Sequence, residues 1–133
     1  MKQLLTLLLC ALCLASCEKQ QSAPVEKQPA EVDFDDKNFE MLNEGKEATY
    51  KGKPYTGLAR RKHSNGKTAG EYPYIDGKMH GVMKEWYENG QQSAETNFDH
   101  GQRHGLNRYW GMKGHQTKEQ IYDHDKSISE KHL

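Results

Sequence analysis

The sequence predicts an all-β fold, an elongated single antiparallel sheet of repeated 24-residue β-hairpins. Three observations carry that expectation. Glycine, glutamate and aromatic residues recur at one fixed spacing. Each recurrence brackets two short runs of strand-forming residues. Those runs are joined by Asn-Gly or glycine-bearing pairs suited to tight turns.

The spacing comes first. Gly57, Gly81 and Gly105 lie 24 residues apart, as do Gly66, Gly90 and Gly114. Glu71, Glu95 and Glu119 keep the same register, and so do Tyr74, Phe98 and Tyr122. Gly77 and Gly101 continue it, with Asp125 where a third glycine would fall, and His80 matches His104. The units run 57–80, 81–104 and 105–126, with a partial copy at about 50–56.

Within the second unit, VMKEWY reads as a strand, ENGQ as a turn, QSAETNF as the return strand and DHGQRHG as the passage to the next unit. Asn65-Gly66 and Asn89-Gly90 suit a type I′ turn, whose two central residues both need positive φ. Lys113-Gly114 keeps only the glycine, so that turn is expected to be less strongly specified. The Gly77 and Gly101 edge is expected to carry the longer loop. The expected core is a stack of Tyr74, Phe98 and Tyr122 along the array, covered by Leu58, Val82 and Leu106. Neighbour-on-neighbour packing must stand in for a deep core, because the repeat region holds little leucine, isoleucine or valine.

Outside the array, DKNFEMLNEG (36–45) is expected to form a short helix or an edge strand over the open first edge. The final KSISEKHL is expected to fray or to cap the last hairpin. At the start, Lys2 precedes an apolar run that ends at Ser16, too short to anchor as a helix but suited to a secretory signal. Leu14-Ala15-Ser16-Cys17 resembles the bacterial lipobox, in which the cysteine becomes lipidated and is the first mature residue. Cys10 and Cys13 fall inside the signal, so the mature chain has no intramolecular disulfide. The expected division is a signal at 1–16, a polar tether at 17–36 and a repeat domain at 37–133. Glu18, where aspartate often marks inner-membrane retention, leans the localisation toward the outer membrane.

Composition excludes some functions. Lysine plus arginine and aspartate plus glutamate each number 19, so no net positive charge drives nucleic-acid binding. The run ARRKH (59–63) reads as a solvated face. Seven histidines are present, but none sits with cysteines and carboxylates at zinc-ligand spacing, so no metal or cofactor is expected. The glutamate column reads as solvent-facing or paired with Arg60, Lys84 and Arg108, not as two acids across a cleft. No catalytic residue is expected.

The copies GLARRKHSNGKTAGEYPYIDGKMHG, GVMKEWYENGQQSAETNFDHGQRHG and GLNRYWGMKGHQTKEQIYDHDK are similar to the MORN-repeat family, in the bacterial variant that includes the YwqK-type antitoxins. The third copy departs from it at Met112-Lys113 and at Asp125. The resemblance implies a scaffold or protein-binding module without catalysis. Its alternatives are an antitoxin or immunity protein that neutralises a toxin, or a structural envelope component that self-associates. The candidate partner-binding rings are Trp86, Tyr87, Tyr109 and Trp110, since Tyr and Trp dominate binding faces. Trp86 and Tyr87 are adjacent and are expected on opposite faces.

Replacing the lipidation residue gives a direct test. Cys17→Ser is expected to leave the far-UV circular dichroism unchanged while moving the protein from the membrane pellet to the soluble fraction; continued sedimentation with membranes would refute lipid anchoring.

Overall fold

The computed structural model describes residues 27–133; the signal run, Cys17 and the tether up to residue 26 lie outside the described residues. The strands in chain order are β1 (Glu31–Asp33), β2 (Phe39–Leu42), β3 (Glu47–Tyr50), β4 (Lys53–Pro54), β5 (Gly57–Lys62), β6 (Thr68–Ile75) and β7 (Lys78–Met79), followed by β8 (Gly81–Trp86), β9 (Gln92–Asp99), β10 (Gln102–Arg103), β11 (Gly105–Trp110), β12 (Gln116–Asp123) and β13 (Lys126–His132). They form one 13-stranded sheet, as the repeat pattern predicts. Every pairing is antiparallel except that of β1 with β5.

The turn types are exchanged relative to expectation. At the Asn-Gly edge only the glycine is left-handed, with φ of 81° at Gly66, 88° at Gly90 and 81° at Gly114. The Gly66 N–H donates to the His63 carbonyl at 2.9 Å, and the His63 N–H to the Lys67 carbonyl at 2.8 Å. That is a type I turn closed by a left-handed glycine, not a two-residue type I′ turn. The type I′ turns lie on the other edge. Asp76 and Gly77 have φ of 48° and 77°, His100 and Gly101 46° and 89°, and His124 and Asp125 47° and 68°. Ile75 pairs directly with Lys78, so this loop is the shorter one. The residues from Gly77 to Gly81 looked like a long loop because a two-residue strand, β7, and the linking residue His80 follow the turn.

Strand alternation assigns the faces. Gly57, Gly81 and Gly105 lie opposite Tyr74, Phe98 and Tyr122, and these residues share one face, the packed face. Ala59, Met83 and Asn107 lie opposite Tyr72, Thr96 and Gln120 on that face. Tyr74 and Tyr122 are buried, and Phe98 packs against the core part-buried. Leu58, Val82 and Leu106 do not cover these rings. Each is one residue past its glycine, so alternation sends it to the other face, opposite Pro73, Asn97 and Ile121. Val82 is 39% exposed there. The expected stack of rings along the array is also absent. Equivalent residues stand two strands apart, about 10 Å, beyond ring contact. Tyr74 instead meets Phe39 and Tyr55 at 6.2 Å, and Tyr122 takes the Arg103 guanidinium at 4.2 Å.

The apolar core is concentrated at the N-terminal end, in Val32, Phe39, Ala48, Tyr55, Ala59, Tyr72, Tyr74 and Met79. Phe34 stacks on Tyr72 at 4.8 Å. The 36–45 segment forms β2 and a 3-10 turn at Asn43–Gly45, and its Phe39 enters this core. The fold also begins earlier than residue 37. Val32 pairs with Ala59 and is buried, while Glu31 and Asp33 form ion pairs with Arg60 and Lys62. A three-residue strand is too short to show periodicity, so it reads as tether. At the other end the last residues do not fray. They form β13, which caps β12 while every residue of it stays exposed.

Consecutive units are joined by recurring bonds. The N–H of the second residue in each type I′ turn reaches a carbonyl of the preceding unit: Gly77 to Tyr55 at 2.8 Å, Gly101 to Met79 at 2.7 Å and Asp125 to Arg103 at 2.9 Å. At the opposite edge the Asn65 Nδ2 donates to the Glu88 carbonyl at 3.1 Å and the Asn89 Nδ2 to the Met112 carbonyl at 2.9 Å. Each asparagine Oδ1 also accepts the N–H two residues on. Lys113 occupies the last copy among the described residues, and its turn has no such neighbour there to bond. Asp125 takes the glycine's place in the last type I′ turn, and its carboxylate holds Lys46 and Arg103, both at 2.9 Å. Those two cations keep the Asp125 carboxyl well below the usual carboxylate range, Lys46 foremost.

Two stability differences follow. Asn89→Ala removes a local and an inter-unit bond and should cost about 1 kcal/mol in urea unfolding, while Lys113→Ala should stay within about 0.5 kcal/mol of the parent; equal effects would refute the stitching role. At Gly70 a Cβ would stand 2.4 Å from the Tyr72 ring, which is held by Phe34 and by its hydroxyl bond to Glu85. Gly70→Ala should therefore destabilise by about 1–3 kcal/mol in the same measurement.

Candidate functional site

The face opposite the core carries the repeat in charged columns. Arg60, Lys84 and Arg108 lie opposite Glu71, Glu95 and Glu119. Arg60 bonds Glu71 at 3.0 Å. Arg108 bonds Glu95 at 3.2 Å and reaches Glu119 at 3.8 Å, so it bridges two units. The pairing of these carboxylates with basic residues agrees with the sequence reading. On one side of this ladder run Leu58, Val82 and Leu106, and on the other Lys62, Trp86 and Trp110. We call it the ladder face.

The four candidate rings do not share a surface. Alternation along β8 and β11 puts Trp86 and Trp110 on the ladder face, both half-buried. Tyr109 lies on the packed face with the Lys118 ammonium 4.4 Å from its ring centre. Tyr87 sits at the turn and donates its hydroxyl to the Trp110 carbonyl at 2.8 Å. His63, its equivalent one unit earlier, bonds the Trp86 carbonyl at 2.8 Å through Nε2. Tyr87 thus joins neighbouring turns. Of the four candidate rings, only Trp86 and Trp110 share the ladder face. A shallow groove of about 300 Å³ runs beside Trp86, lined also by Lys67, Thr68, Glu71 and Gly90. Asn65, Gly66, Gly77, Asn89, Gly90, Gly101 and Gly114 all stand in turns, as expected.

The edge of the type I′ turns brings together residues that sequence reading kept apart. The pairing of Gly81 with Phe98 sets His80 beside Asp99 and His100. The pairing of Gly105 with Tyr122 sets His104 beside Asp123 and His124 in the same way. His80 Nδ1 lies 3.3 Å from Asp99 Oδ1, and His100 Nδ1 lies 2.5 Å from the same oxygen. In the next group the distances are 3.4 Å for His104 and 2.6 Å for His124, both to Asp123. The two imidazoles of each group have centroids 4.6 Å apart. His124 Nε2 also stands 3.7 Å from Asp99 Oδ2, which links the groups. Asp99 is held below the usual carboxylate range, first by the His100 hydrogen bond and then by the surrounding imidazoles. The signal was present in the sequence: Asp99 and Asp123, and His100 and His124, keep the 24-residue spacing of His80 and His104. His80 and His104 by themselves lie two strand spacings apart, about 10 Å, too wide to share one ion, and no metal site was expected from them. The structure assembles a separate group at each junction between consecutive units, the last histidine of one unit meeting the Asp-His pair of the next.

Comparison with protein-family models, with curated proteins and with solved structures gives no match.

Proposed function

We propose that this chain is a non-catalytic binding module of the cell envelope, tethered by lipid on Cys17, whose ladder face docks a protein partner. The reading joins the lipobox-like start and the MORN-like repeat to one observation: Trp86 and Trp110 stand in one column of a face that repeats its chemistry unit by unit. Aromatic anchors within a charged surround are the composition of a protein-binding hot spot. The ladder's charges pair largely among themselves, which gives no phosphate-binding stripe and favours a protein over a nucleic acid. Outer-membrane placement and an antitoxin or immunity role rest on sequence resemblance alone.

The structural-component reading needs edge-to-edge assembly, for which β13 offers the unpaired side of a terminal strand. Lys126, Glu130 and Lys131 lie on β13 and are exposed, and such charges oppose strand addition. They weigh toward partner binding over self-association.

Capture from envelope extracts of the source cell distinguishes these readings. A Trp86→Ala/Trp110→Ala bait should lose a specific partner at least tenfold, while a Lys131→Ala bait keeps it. Equal recovery by the parent and both variant baits would remove the ladder face from the binding site.

A further inference from the structure

We propose that the two His–Asp–His groups bind zinc-class divalent transition-metal ions, two per chain: one at His80, Asp99 and His100, the other at His104, Asp123 and His124. In each group one atom from each of the three side chains lies within 4.8 Å of the other two. Imidazole and carboxylate donors suit Zn²⁺ and its first-row neighbours. Metal–ligand bonds of about 2.0–2.2 Å in a tetrahedral site put ligand atoms about 3.3 Å apart. The His80–Asp99 and His104–Asp123 separations, 3.3 and 3.4 Å, already have that length. The shorter His100–Asp99 and His124–Asp123 contacts, 2.5 and 2.6 Å, must open by less than about 1 Å. His100 and His124 have the exposure to do so. Three protein ligands leave a fourth position for water or a partner's donor.

The first type I′ turn, at Asp76-Gly77, shows that the fold does not need these histidines. There Thr56 stands where His80 and His104 stand later, and Asp76 where His100 and His124 stand. Thr56 Oγ1 accepts the Asp76 N–H at 2.9 Å, as His80 Nδ1 accepts the His100 N–H at 3.3 Å. A threonine thus meets the turn's hydrogen-bond requirement. The next two turns of this kind nonetheless both carry the complete set of two imidazoles and a carboxylate. The His100 N–H contact to His80 Nδ1 is long, at 3.3 Å, and an ion bound at Nδ1 would use that lone pair in its place.

The test is calorimetric titration of ZnCl₂ into the purified mature protein, lipidated at Cys17 and without a polyhistidine tag, so that no free thiol competes for zinc. The parent should bind two ions. His80→Thr and His104→Thr each copy the first turn's own solution, so the sheet should keep its circular dichroism. Each should weaken one site by roughly tenfold or more and leave the other. Asp99→Asn, which keeps the side-chain shape, should weaken the first site similarly. His115→Ala, at the turn that holds Gly114 on the opposite edge, should still bind two ions. Fewer than two ions on the parent, or full binding retained by the His80→Thr/His104→Thr double variant, would overturn the proposal. Because none of these variants touches Trp86 or Trp110, failure here leaves the partner-docking reading untouched.

Discussion

The N–H in each type I′ turn that reaches back to the preceding unit is the contact on which the array depends. Gly77, Gly101 and Asp125 make it to Tyr55, Met79 and Arg103. Backbone pairing between consecutive hairpins is sparse. β9 and β11 share only Ala94–Tyr109 and Glu95–Arg108, and β6 and β8 only Gly70–Glu85 and Glu71–Lys84. Beyond those pairs the strands diverge, and polar side chains fill the gap. Asn107 accepts the Asn97 N–H at 2.8 Å, and Asn97 in turn donates to the Leu106 carbonyl. Asn107 Nδ2 is buried without a partner among the described residues, a cost of placing an amide where earlier units have Ala59 and Met83. The fixed repeat length follows. An insertion within a unit would move the turn N–H away from its carbonyl.

A sheet built this way cannot bury both faces, and the units divide the work unequally. The packed face is aromatic and aliphatic in the first unit and turns polar along the array, from Tyr72 to Thr96 to Gln120 and from Ala59 to Met83 to Asn107. β1 to β3 supply Val32, Phe39 and Ala48 to the apolar end, so that end is closed by the chain itself. The polar end is closed by β13 and by the Asp125 ion pairs with Lys46 and Arg103. Terminal units that depart from the repeat are what stacked-repeat architectures require. The later units, with less core to protect, carry the tryptophan column, and the later type I′ turns carry the His–Asp–His groups, neither of which has a counterpart at the first turn.

Those two features lie apart on the molecule. The tryptophans stand on the ladder face near the Asn-Gly turns, and the histidines occupy the type I′ edge at the other ends of the same strands. A partner on the ladder face leaves the histidine edge accessible, and a metal ion at that edge would sit beside the bonds that join unit to unit.

The sequence by itself determined the repeat length, the all-β class, the turn positions and the Tyr74, Phe98 and Tyr122 column, because period-24 identity and glycine placement are local properties. The Arg–Glu ladder was legible for the same reason. Which face each aliphatic residue occupies was not. Leu58, Val82 and Leu106 are apolar, but register, set by Gly57 opposite Tyr74, decides their side, and a shift of one residue reverses it. The exchange of turn types was hidden because Asn-Gly serves both kinds of turn, and hydrogen bonding across the hairpin selects between them. The inclusion of β1 was hidden because its one buried residue, Val32, depends on a partner strand far along the chain. The histidine groups needed the fold most. His80 and Asp99 are neighbours only because antiparallel pairing folds a hairpin of sequence back on itself, and tertiary structure alone supplies that distance.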